Sequence, residues 1–78
     1  GRGDFKFLAE TLYRTKNGNF FLFGEGGPMS KYSEQFGDSY GEGEELRPLT
    51  EEEAFEFCQE NDLTDVIDKY FSDFVDDA

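Results

Sequence analysis

The sequence predicts an α+β domain: a two- or three-stranded antiparallel sheet that opens with an N-terminal β-hairpin, followed by two C-terminal amphipathic helices. Three observations predict it. Asn17-Gly18, the strongest short hairpin signal, stands between two runs rich in aromatic residues, Leu and Thr. Thr50 and Glu53 have the spacing of a helix capping box. Leu63, Val66, Ile67, Tyr70, Phe71 and Phe74 recur at i, i+3, i+4, i+7, i+8 and i+11, an amphipathic helical stripe. At 78 residues the chain is a single small domain with a thin core.

The hairpin spans residues 5–23. A two-residue turn at Asn17-Gly18 sets Thr15 opposite Phe20, Arg14 opposite Phe21, Tyr13 opposite Leu22 and Leu12 opposite Phe23. Tyr13, Thr15, Phe20 and Leu22 then share one face, and Leu12, Arg14, Phe21 and Phe23 the other. Both faces are apolar, so both need a cover. Residues 24–44 have six glycines and no periodicity, and read as a long loop whose aromatics fold back over the sheet. Within it Pro28–Ser33 reads as one short helical turn. Residues 45–48 read as a short third strand ended by Pro48. The helices occupy 50–61 and 63–75, with Ala54, Phe57 and Cys58 inward on the first and Val75–Ala78 fraying.

Charge excludes several functions. Seven Lys+Arg stand against 19 Asp+Glu, a net of −12, and there is no basic patch for direct nucleic-acid binding. The charge is uneven. Residues 1–47 carry six basic and eight acidic residues, a net of −2, whereas residues 48–78 carry Lys69 and eleven acids, a net of −10. Ten Phe and four Tyr argue against a disordered acidic chain. No apolar run approaches the ~20 residues of a membrane span. No leader peptide is visible and one Cys forms no internal disulfide, so nothing suggests an oxidising compartment.

Catalysis is not expected. Without His there is no Ser-His or Cys-His pair. Cys58 reads as a small buried apolar residue, because nearby carboxylates raise a thiol pKa. Gly24–Lys31 has glycines and a lysine but not the spacing of a phosphate-binding loop. Asp38–Glu45 offers oxygen ligands for a weak Ca²⁺ loop, but it departs from the EF-hand template and reads first as solvated, so no metal ligands and no cofactor are assigned. Arg2-Gly3-Asp4 matches the integrin-binding tripeptide, which is too short a match to carry a function.

Surfaces remain. Glu52, Glu56, Glu60, Asp65 and Asp68 form an acidic helix face. Such a face keeps an aromatic-rich chain in solution, and it also suits a basic, nucleic-acid-handling protein partner as a mimic of nucleic-acid charge. Phe21 and Phe23 supply a second surface, an aromatic hairpin face that anchors a protein partner or a homodimer.

Residues Glu10 to Tyr32 (ETLYRTKNGNFFLFGEGGPMSKY) resemble a segment of small uncharacterised proteins carried on mobile elements of Gram-positive gut bacteria. Pro48–Ala54 (PLTEEEA) is similar to their PLSEEEA helix start, which leads to an EW pair where this chain has Glu56-Phe57. The likeness covers most of 10–71, and the hairpin with its GEGG run is its most specific part. It implies a bacterial cytoplasm, genes that move between hosts, and further sequence before Gly1. It implies no activity and no site residues.

Overall fold

The structure is a computed structural model that describes residues 5–74. The Arg2-Gly3-Asp4 tripeptide and the fraying expected of Val75–Ala78 lie outside the described residues. The architecture is α+β. Strands β1 (Leu8–Arg14), β2 (Phe20–Gly26) and β5 (Gly43–Leu49) form an antiparallel sheet in the order β1-β2-β5. Between β2 and β5, β3 (Glu34–Phe36) and β4 (Ser39–Gly41) make a small separate hairpin. Helices α1 (Glu51–Glu60) and α2 (Thr64–Tyr70) follow.

The hairpin register differs from the sequence expectation by one residue. Arg14 pairs with Phe20, Tyr13 with Phe21, Leu12 with Leu22 and Thr11 with Phe23. The turn is a three-residue loop, not a two-residue one. Thr15 N–H donates to the Asn19 carbonyl at 2.8 Å, Gly18 N–H to the Thr15 carbonyl at 2.9 Å, and Asn19 N–H to Thr15 Oγ1 at 3.1 Å. Within this loop Gly18 alone takes a positive φ, 87°, where a type I′ turn needs two such residues. Thr15 therefore belongs to the loop closure, and its hydroxyl holds the extra residue in place. A one-residue slip exchanges the two faces of β1 relative to β2. Leu12 joins Phe20 and Leu22 on the face that carries the helices, and Tyr13 moves to the opposite face.

The long loop expected over 24–44 is shorter and more regular. β2 runs to Gly26 and pairs with β5 along its length, from Phe20↔Leu49 to Gly26↔Gly43. The ladder continues past β1: Gly27 N–H donates to the Phe7 carbonyl and Met29 N–H to the Phe5 carbonyl. Two successive turns, Ser30 N–H to the Gly27 carbonyl and Ser33 N–H to the Ser30 carbonyl, replace the expected helical turn. They bring Tyr32 back across Gly24, where any Cβ would collide with its ring. Tyr32 is buried, whereas Met29, Phe36 and Tyr40 are exposed. The third strand is longer than 45–48 because it pairs with the whole of β2. Pro48 lies inside it, which an edge strand tolerates.

Helix α1 matches its expected limits. Glu53 N–H donates to Thr50 Oγ1 at 3.1 Å and Thr50 N–H to Glu53 Oε1 at 2.8 Å, completing the capping box. Its end is a Schellman closure: Leu63 N–H reaches the Cys58 carbonyl and Asp62 N–H the Gln59 carbonyl, with Asp62 left-handed at φ 56°. Helix α2 is shorter than 63–75. It stops at Tyr70, and the chain turns through Phe74, whose N–H bonds the Phe71 carbonyl. This turn folds Phe74 back onto Phe55 and Phe71, with ring centroids 5.1 and 5.5 Å apart, contacts a continuing helix would carry it past.

The core lies between one face of the sheet and the helices. Phe20, Ala54, Cys58 and Phe71 are buried together, flanked by Leu12, Leu49, Phe55, Leu63, Val66 and Ile67. Phe71 stacks on Phe20 at 5.1 Å. Among the described residues the opposite face of the sheet carries no helix.

Candidate interaction surfaces

The uncovered face is set by register. Tyr13 lies opposite Phe21, and Phe23 lies between Thr11 and Leu46. Pairs directly opposite share a face, so Tyr13, Phe21, Phe23 and Leu46 come together there, with Pro48 beside Phe21. These four side chains frame a shallow groove of about 440 Å³. Tyr13 is 53% exposed and Leu46 63%, while Phe21 and Phe23 are half-buried. The two phenylalanines thus stand on the open side. Sequence reading missed Tyr13 and Leu46. The first follows only from the three-residue turn, whose signal was Thr15 ahead of Lys-Asn-Gly. The second needed the pairing of β5 with β2.

The acidic residues are on the other side. Glu52, Glu56 and Glu60 are exposed on successive turns of α1, where like charges four residues apart repel. Glu56 and Glu60 join Glu10, Glu53, Lys31 and Arg47 around a cleft of about 190 Å³. Glu52, Asp65 and Asp68 are exposed and do not line it. The five acids spread over two helices, and two of them line this cleft.

Glu10 is held by two partners at one oxygen. Its Oε2 accepts from the Tyr32 hydroxyl at 2.6 Å and pairs with Lys31 Nζ at 2.9 Å. Burial pushes its pKa up, but the Tyr32 and Lys31 hydrogen bonds and the nearby cations outweigh burial and leave it below its ordinary value. Burial, together with the Glu10 carboxylate, pushes the Tyr32 hydroxyl from 10.0 up to about 12. A raised acid stabilises the fold below its unfolded pKa and ceases to do so as pH climbs through the folded value. Tyr32→Phe is therefore expected to lower Tm by roughly 5–10 °C at neutral pH. The gap between the two proteins closes as pH rises from 10.0 to about 12. It also narrows in acid, as Glu10 protonates below the usual carboxylate range. Thermal melts across pH check this; a gap that stays constant from acid to alkali refutes it.

A third cleft, about 420 Å³, lies between β1 and the helices, lined by Leu12, Arg14, Phe20, Leu63, Val66 and Tyr70 among others. The Arg14 guanidinium lies 4.5 Å from the Tyr70 ring centroid and 5.9 Å from that of Phe20.

Cys58 is fully buried and burial pushes its thiol up, the opposite of nucleophile activation. Among the described residues no group of three or more His, Cys, Asp or Glu side chains is placed to hold a metal ion. Glu44 and Glu45 are consecutive strand residues and point to opposite faces, so the acidic run is not gathered into a ligand set. No helix among the described residues is long and apolar enough to cross a membrane. No protein-family model matches the chain, and comparison with curated proteins and with solved structures finds no match.

Proposed function

We propose that this chain is a non-catalytic protein-interaction module that seats the open face of its sheet on a basic partner protein. The observation that carries the reading is the apolar group of Tyr13, Phe21, Phe23 and Leu46 on the side that carries no helix among the described residues. A contiguous apolar patch on a small domain marks a contact surface, and aromatic anchors dominate the energy of such contacts. The charge of −12 selects the sign of the partner. Because the acidic helices lie on the far side of the sheet, they act on that partner through the long-range field, which speeds encounter and weakens with salt. A nucleic-acid-handling protein has the required basic surface.

The test is affinity capture from a bacterial lysate with three baits. Leu46→Ser with Tyr13→Ser is expected to weaken the captured complex by at least about tenfold while melting like wild type. Changing Glu52, Glu56, Asp65 and Asp68 to Gln slows association and leaves dissociation nearly unchanged. The reverse pattern, loss with the acid variant and none with the face variant, supports direct docking of the acidic helices as a nucleic-acid mimic and overturns the open face as the contact.

A further inference from the structure

The two edges of the sheet are not equivalent. β1 hydrogen-bonds to β2 through its odd-numbered residues, as the flanking Phe7–Gly27 and Thr15–Asn19 bonds show. The N–H and C=O groups of Leu8, Glu10, Leu12 and Arg14 therefore point outward, along an edge that no strand covers among the described residues. On β5 the outward positions are Glu44, Leu46 and Pro48, and Pro48 has no N–H to offer. The free edge of β5 is interrupted, and the free edge of β1 is not. An uninterrupted seven-residue edge is a template for another strand.

The side chains along β1 say which strand fits. Arg14 has no carboxylate partner among the described residues, although the chain has 19 acids. Glu10 uses Oε2 for both Tyr32 and Lys31, and no partner holds Oε1 among the described residues. Leu12 lies midway between them. Two antiparallel copies of β1, joined through their outward-facing residues, align with Leu12 opposite Leu12 at a two-fold axis. Glu10 of each copy then lies opposite Arg14 of the other. The pairing is self-complementary, as a two-fold interface must be. Side chains of the incoming strand on this face lie next to the cleft lined by Leu12, Leu63 and Val66.

We propose that the chain forms a two-fold dimer by edge-to-edge pairing of β1, which joins the two sheets into one and sets the two open apolar faces side by side. This contact is separate from the open face proposed to bind a basic partner. It also has the opposite salt response. Each copy carries −12, so added salt screens the repulsion between copies and tightens the dimer, whereas a complex with a basic partner loosens.

Sedimentation equilibrium of the full chain at about 0.05 M and about 0.5 M salt reads this directly. A monomer–dimer equilibrium that tightens with salt is expected. Arg14→Glu is expected to raise the dissociation constant at least about tenfold, with Arg14→Lys close to wild type. Leu46→Ser leaves the dimer intact. Amide exchange supplies a readout that needs no variant: Glu10, Leu12 and Arg14 gain protection as concentration rises, and Leu46 does not. A monomer at millimolar concentration overturns the proposal and leaves the basic-partner reading standing. So does a dimer that survives Arg14→Glu, or one whose protection appears on β5.

Discussion

Phe71→Ala is expected to unfold most of the protein at 25 °C. Phe71 is 1% exposed and stacks on Phe20, and its ring lies 5.7 Å from Phe55 and 5.5 Å from Phe74. It joins the sheet to both helices and to the turn that follows them. Removing a buried phenylalanine costs about 3–5 kcal/mol. A single core in a domain this small supplies roughly the same amount in total. Circular dichroism melts and urea titration check the effect. Phe71→Leu keeps most of the volume and is expected to lose about 1–2 kcal/mol and stay folded. An alanine variant melting within a few degrees of wild type would show that the helices are held by something other than this ring.

Gly24→Ala is the second large effect, although it adds only a methyl group. Gly24 sits in the central strand between Glu10 and Glu45, under the ring of Tyr32. The added Cβ occupies space that the ring fills, and β2 is paired on both sides and has little freedom to retreat. Tyr32 must leave, and its 2.6 Å hydrogen bond to Glu10 goes with it. Overpacking and the lost bond to a carboxylate together cost about 2–4 kcal/mol. The coupling is measurable. In a Tyr32→Ser background the same Gly24→Ala change is expected to cost less than about 1 kcal/mol. Equal costs in both backgrounds would mean that the ring is not what requires glycine at 24.

These two sites illustrate what can be read along a chain and what cannot. The start of α1 was legible because a capping box closes within four residues, between Thr50 and Glu53. The inward set Ala54 and Cys58 was legible because helical spacing is regular. Phe57, expected with them, is half-buried at the margin, lining two clefts. The end of α2 was not legible. The apolar stripe continues through Phe74, but the chain leaves the helix so that Phe74 can return to Phe55. Glycines 24 and 43 read as loop composition, yet both lie in strands, where missing side chains let the 27–33 segment pack close. Of the surface residues, Phe21 and Phe23 could be placed on one face by strand alternation alone. Their neighbours Tyr13 and Leu46 could not.

The sequence by itself determined the α+β class, the hairpin, the order of the two helices, the first cap and the strongly acidic C-terminal half. Each of these depends on interactions among residues a few positions apart, or on composition. Tertiary structure decided the hairpin register, the full length of β5, the place of Tyr32 over Gly24, and therefore which apolar residues face solvent. The physical reason is that a strand has no internal hydrogen bonds. Its register is chosen by a turn and by partners far along the chain, and a shift of one residue exchanges its two faces. Here that shift placed Leu12 in the core and Tyr13 on the open face beside Phe21, a choice that only the packed sheet could make.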